Sequence, residues 1–208
     1  MRALIAATLL AGSALLTAQT ETHASPLGYS YAIPADWQVM DMSATAPAAK
    51  QQAQQNATDE MEKRGAGCVN LSLTAQHGAP ASVVVIVELP FDCLGQTATE
   101  KDLPGFGMGA SEGMKQNFDL ADPVFGTYTL GTHAMWVERA QGSPKGHSEM
   151  SYTVEIACSL LKKAAVCWMA MAADPEALKV FESSAVKLED DPATALVPAT
   201  AFEKKPSQ

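Results

Sequence analysis

The stretch Tyr152-Thr153-Val154-Glu155-Ile156-Ala157-Cys158-Ser159-Leu160, followed by Leu161-Lys162-Lys163-Ala164 and then Ala165-Val166-Cys167-Trp168-Met169-Ala170-Met171-Ala172, is two apolar runs hinged on a pair of lysines. It is the clearest hairpin signal in the chain. With Lys162-Lys163 at the centre of the turn, paired residue numbers sum to a constant. Cys158 then falls opposite Cys167, Ile156 opposite Met169 and Val154 opposite Met171, and all six side chains share one face, as a buried side of a sheet demands. Opposed residues at a non-hydrogen-bonded site have Cα atoms about 4.5 Å apart, within reach of a disulfide.

Four cysteines allow three pairings, and this register favours Cys158 with Cys167, leaving Cys68 with Cys93. Zinc ligation and a redox dithiol both call for Cys-x-x-Cys spacing, which is absent.

Working outward, the preceding segments give more hairpins. Phe125–Leu130 and Ala134–Val137 flank Gly131-Thr132, a two-residue turn that sets Tyr128 opposite Met135. Cys68–Leu73 and Val83–Val87 flank the turn residues His77-Gly78-Ala79-Pro80. Near the start, Tyr29–Ile33 and Trp37–Met40 read as short strands joined by Pro34-Ala35-Asp36. Thr45 and Pro47 open a helix predicted to stop at Gly65. Leu94–Asn117 is Gly-rich and polar, with a helical pattern only over its latter half, Ser111–Phe118. Asp174 caps a helix with Pro175 at its first position, and Leu178, Phe181, Ala185 and Leu188 recur at helical spacing. From Glu189 onward Asp, Pro, Ala and Thr dominate, which predicts a loosely ordered tail. About eight strands joined by hairpins, with two or three helices, predict an α+β fold with a mainly antiparallel sheet flanked by helices.

The amino end carries an export signal. Arg2 precedes an apolar run from Ala3 to Leu16, and small-residue cleavage sites end at Ala18 and Ala24. The run is well short of the roughly 20 residues that span a bilayer. No cysteine precedes Cys68, so the acylated cysteine of a bacterial lipoprotein is missing. The expected organisation is a signal over residues 1–24, cleaved after 18 or 24, one domain over 25–188 and a tail over 189–208. An exported product meets an oxidising compartment, where thiols pair as structural bridges. The formal net charge of −9, from 23 acidic and 14 basic side chains, disfavours nucleic acid and anionic lipid as partners. Asn56-Ala57-Thr58 and Asn70-Leu71-Ser72 match the N-glycosylation pattern, which an Ala-rich leader of bacterial style would leave unused.

Few constellations carry chemistry. Gly109-Ala110-Ser111-Glu112-Gly113 matches the Gly-x-Ser-x-Gly elbow, with Asp122 and His133 or His147 following in hydrolase order. The alternative function is therefore a secreted serine hydrolase using Ser111, although no apolar strand precedes that serine. Gly105–Ala110 fits a dinucleotide fingerprint but lacks its strand, and reads as a flexible loop. His147 and Glu149 could share a strand face, and Met150, Met169 and Met171 are soft donors. His23 lies at a cleavage site, and His77 sits in a turn. Core packing and solvated loops explain these residues at less cost, so no catalytic, metal or cofactor residue is assigned.

Two segments carry a resemblance. Tyr29-Ser30-Tyr31-Ala32-Ile33-Pro34-Ala35-Asp36-Trp37, and Ala173-Asp174-Pro175-Glu176-Ala177-Leu178 running to Ala185-Val186-Lys187-Leu188, resemble the opening and close of the PsbP-like α/β/α sandwich family. The resemblance implies an antiparallel sheet flanked by helices, in a family whose members mostly bind macromolecules. It carries no site residue to this chain, which departs from exported relatives in its four internal cysteines. The expectation is an exported, periplasmic or secreted, disulfide-stabilised, non-catalytic binding or assembly module with no cofactor. Its partner would be an envelope or extracellular macromolecule, without nucleic acid and without stable membrane insertion.

Overall fold

The computed structural model describes residues 21–203. The strands are β1 (Thr22–Ser25), β2 (Tyr29–Ala32), β3 (Gln38–Val39), β4 (Asn70–His77), β5 (Ser82–Pro90), β6 (Phe118–Leu130), β7 (His133–Pro144), β8 (Tyr152–Leu160), β9 (Ala164–Ala172), β10 (Ala185–Leu188) and β11 (Thr194–Ala195). The helices are α1 (Ala46–Asn56), α2 (Glu60–Cys68), α3 (Phe91–Leu94), α4 (Leu103–Met114) and α5 (Pro175–Ser183). A seven-stranded sheet runs β3-β4-β5-β9-β8-β7-β6, and a four-stranded sheet runs β1-β2-β10-β11. Every pairing is antiparallel, so the class is α+β. No helix among the described residues is long and apolar enough to cross a membrane.

The β8–β9 hairpin sits in the middle of the large sheet, in the register read from its alternation: Cys158 opposite Cys167, Ile156 opposite Met169, Val154 opposite Met171. Cys158 and Cys167 are joined by a disulfide with Cα atoms 4.1 Å apart. A second disulfide, Cys68–Cys93, ties the end of α2 to α3. Tyr128 faces Met135 across the β6–β7 hairpin.

The two faces of the large sheet bury different things. One face meets the small sheet and α5, and Tyr29, Tyr31, Ile86, Val137, Trp168, Phe181, Val186 and Leu188 fill the space between. The other face is covered by α4, whose Leu103 packs with Trp136, Val154, Ile156 and the Cys158–Cys167 bridge. Asp174 accepts hydrogen bonds from the Glu176 and Ala177 amides, which fixes the start of α5.

Helix α4 corrects the reading of Leu94–Asn117 as a mainly irregular stretch. It begins at Leu103, ahead of the predicted Ser111, and turns Gly105, Gly107, Gly109 and Gly113 into helix. Four-residue spacing buries Leu103, Gly107 and Ser111 on one stripe. Gly107 has a packing role, because a Cβ there would run into the buried Trp136 ring. Gly107→Ala is expected to lose about 1–3 kcal/mol by overpacking. Gly109→Ala, where a Cβ meets nothing, should gain up to about 1 kcal/mol from helix propensity. Urea midpoints moving in opposite directions would establish the pair.

Other boundaries differ for local reasons. The predicted single helix from Thr45 breaks at Ala57, whose ψ is 135°, and α2 continues past Gly65 to Cys68. The strands predicted at Tyr29–Ile33 and Trp37–Met40 belong to different sheets. Beyond Ser183 the apolar spacing changes from helical to alternating, and Val186 and Leu188 are buried from strand β10.

The predicted loose tail is also corrected through residue 203. Leu196, Val197 and Ala201 are buried in the main core, and Thr194–Ala195 pair with β10. Asp191 accepts from the Thr132 amide and hydroxyl and lies 3.0 Å from His133 Nδ1. Glu189 binds Lys162 through both amide and ammonium. Charged and polar residues that suggested a solvated segment are the clasps that hold it down.

The predicted export signal, Met1 to Ala18, lies outside the described residues. Of its two expected cleavage points, the one after Ala24 would remove three of the four residues of β1. The one after Ala18 leaves that strand whole.

Candidate functional site

The sequence-derived nucleophile is not placed for catalysis. Ser111 lies within α4, is buried, and its hydroxyl donates to Glu138 Oε1 at 3.0 Å. No strand delivers it to a turn. Asp122 sits at an irregularity in β6. His133 opens β7, five residues ahead of Glu138 and so about 17 Å away along the strand, and is held by Asp191 and Glu189. His147 lies in the loop after β7, 3.1 Å from Glu149 Oε1, with both side chains exposed. The serine and the two histidines are therefore not assembled. Gly105–Ala110 is helix rather than a phosphate-binding loop. Met169 and Met171 pack against the α4 core. Among the described residues, no group of three His, Cys, Asp or Glu is close enough to hold a metal.

The candidate site lies instead where the small sheet meets the edge of the large one. Strand β3 is short and covers only Ala75 and Gln76 of β4, with one further bond from the Met40 amide to the Thr74 carbonyl. The chain then leaves toward α1, its turn fixed by Asp41, which accepts from the Ser43 amide at 2.9 Å. Between this segment, residues 21–24 and residues 71–74 of β4, a cleft of about 400 Å³ opens.

His23 and Ser72 line the cleft, and behind them a chain of polar side chains runs into the core. The β4–β5 register skips one residue between Leu71 and Leu73, so Ser72 is the extra residue of a bulge. His23 Nε2 lies 2.8 Å from Ser72 Oγ, and the Tyr29 hydroxyl is 3.1 Å from the same oxygen. Tyr29 is also 2.9 Å from Glu88 Oε1, which accepts from Ser25 Oγ at 2.6 Å. One phenolic proton cannot serve both acceptors, and the carboxylate is the stronger. His23 and Ser25 come from β1 and Tyr29 from β2, while Ser72 and Glu88 come from β4 and β5. The network therefore pins the two sheets together.

Electrostatics follow from burial. Desolvation holds the His23 imidazole below its ordinary value against the pull of Glu88, so the ring is neutral at pH 7. Burial raises the Tyr29 phenol, which stays protonated. The Asp41 carboxyl is held below the usual range by the Ser43 amide and remains charged. Thr74 lines the same cleft, and its buried hydroxyl has no hydrogen-bond partner among the described residues. The arrangement offers hydroxyls, a neutral imidazole and apolar walls from Ile33, Met40, Met42 and Leu71, which are the makings of a small-molecule binding site.

Sequence reasoning missed this cleft. His23 was assigned to a cleavage site and Ser72 to a sequon, and neither is near the other in the chain. One signal was available: Glu88 ends the apolar run Val83–Val87, and a buried carboxylate in a strand requires polar partners.

No protein-family model matches the chain, and no curated protein sequence matches it. Among solved structures, the chain is similar to the solution structure of cyanobacterial PsbP (CyanoP) from Synechocystis sp. PCC 6803. The identity is 12% and the TM-score 0.43, over 83% of this chain and 91% of that one. The α+β assignment rests on the strands and helices of this chain itself, and no residue role is carried across from that structure.

Proposed function

We propose that the protein is an exported, disulfide-stapled, non-catalytic binding module, cleaved after Ala18 and acting in the envelope or outside the cell through the His23–Ser72 cleft. The observation that supports it best is the cleft itself: an open site between two sheets, lined by the hydrogen-bonded His23 and Ser72. The two disulfides fit an oxidising compartment. The hydrolase alternative loses its support, because Ser111 is buried and bonded to Glu138.

The test is photo-crosslinking in the native envelope. A photoreactive residue at position 40, where Met40 is part-exposed at the cleft, should give a defined adduct. The same residue in place of Lys179, on the exposed face of α5, should give none. Equal adducts from both positions, or none from position 40, would contradict the proposal.

A further inference from the structure

We infer that the Cys68–Cys93 bridge is a reducible tether: attack on it by a dithiol reductant frees the α1–α2 arm and loosens the side of the cleft where that arm begins. This rests on the reading of the cleft as a binding site.

The two bridges differ in what protects them. Cys158 and Cys167 are 0% and 7% exposed, on neighbouring strands in the core beneath α4. In the other bridge Cys68 is 4% exposed, but Cys93 is an exposed residue of the short helix α3. Thiol–disulfide exchange needs access to a sulfur, and exposed bridges are the labile and regulatory ones. The attacking thiolate bonds to Cys93 Sγ as the S–S bond breaks, and the electron pair leaves on Cys68 Sγ, which takes a proton. The second thiol of the reductant then displaces Cys93 as a thiolate, which also takes a proton. The reductant leaves as a disulfide, oxidised by the electron pair that the bridge has gained.

The burial pattern shows what the bridge holds. Among the α1 and α2 residues whose side chains are described, Cys68 alone is buried. The two helices lie so close that a Cβ on Gly67 would touch the Gln54 amide, so α1 is carried by α2. The other end of the bridge is fixed. Phe91 of α3 is buried, its amide donates to the Lys163 carbonyl at 2.9 Å, and its ring centre lies 6.3 Å from that of Phe106 on α4. The bridge therefore joins an arm with little buried surface to a fixed part of the body, and segments with few buried apolar contacts are the ones that open locally. That arm begins at the cleft, where Met42, Ser43 and Ala46 form part of the lining. Val39 and Met40 stay bonded to β4, so release loosens one side and leaves the other.

The experiment titrates the folded, oxidised protein with dithiothreitol at pH 7, quenches with an alkylating agent and maps the peptides. Cys68 and Cys93 are expected to be alkylated at least about tenfold faster than Cys158 and Cys167. At the stage where only the first pair is reduced, amide exchange across α1 and α2 should rise at least about tenfold while β8 and β9 stay protected. In envelopes treated to that stage, the adduct from position 40 should fall by more than half. The double substitution Cys68→Ser, Cys93→Ser should give the same low yield without reductant. Both bridges reduced together, Cys158–Cys167 reduced first, or arm amides that keep their protection would each overturn the inference. An adduct of equal yield in both states would overturn it while leaving the cleft as a binding site. No adduct from the oxidised protein would remove the cleft, and the inference with it.

Discussion

Replacing all four cysteines with alanine is expected to remove about 6 kcal/mol of stability, a sizeable part of the roughly 5–15 kcal/mol that holds an ordinary domain folded. The Cys158–Cys167 bridge closes a short loop within one hairpin and contributes about 2.7 kcal/mol by the chain-entropy relation, and the Cys68–Cys93 bridge, with its longer loop, about 3.5. The two act on different parts of the molecule, one inside the central hairpin and one between α2 and α3, so their effects should add to first order. Urea unfolding followed by circular dichroism should show the four-alanine protein unfolding at a much lower urea concentration, with about 6 kcal/mol less stability than the parent. A midpoint within about 1 kcal/mol of the parent would show that the bridges hold nothing.

The second large effect is expected at Arg139. Its guanidinium binds Glu155, with Nε 2.6 Å from Oε2, and also pairs with Glu182 while lying 4.3 Å from the centre of the Phe202 ring. Glu155 is fully buried and its Oε1 has no hydrogen-bond partner among the described residues. Arg139→Ala leaves a buried carboxylate uncompensated, which typically costs about 3–5 kcal/mol. Burial, only partly offset by Arg139, pushes the Glu155 carboxyl up to about 7. A folded value above the unfolded one means that this group's stabilisation is full below about pH 4.5 and is lost as pH rises through about 7. The Arg139→Ala deficit should therefore be larger at pH 8 than at pH 5.5, where the acid is neutral. In Glu155→Gln the part of the pH slope between 5 and 8 that belongs to this site, up to about 3 kcal/mol, should disappear. Equal deficits at both pH values would refute the assignment.

The same residues show why the carboxyl-terminal segment was hard to read. Nothing in Asp190-Asp191-Pro192-Ala193-Thr194 announces burial, yet Tyr128 donates to the Leu196 carbonyl and Phe202 lies under Arg139. The segment covers a buried acid on β8. Its role is set by long-range partners, and a local pattern does not carry them. By contrast, the β8–β9 register was legible because alternation, a lysine turn and two opposed cysteines all specify one pairing. Helix α4 fell between these cases. Glycine content argued for a loop, and only the Leu103, Gly107, Ser111 stripe, meaningful once Trp136 is known to sit opposite, argues for a helix.

The cleft lies at the far end of that scale. The polar network behind its His23 and Ser72 joins residues 23, 25, 29, 72 and 88, so it depends on how two sheets dock. Aromatic alternation in β2 was visible, but the partners of the Tyr29 hydroxyl were not.

The most direct measurement is on the protein as cells hold it: thiols trapped by alkylation in living cells, then mass analysis of the amino terminus and of non-reduced peptides. Export with cleavage after Ala18, and structural bridging, predict a chain beginning at Gln19, with no alkylated cysteine and with Cys68 joined to Cys93 and Cys158 to Cys167. A chain that still begins at Met1 with four alkylated cysteines would contradict it.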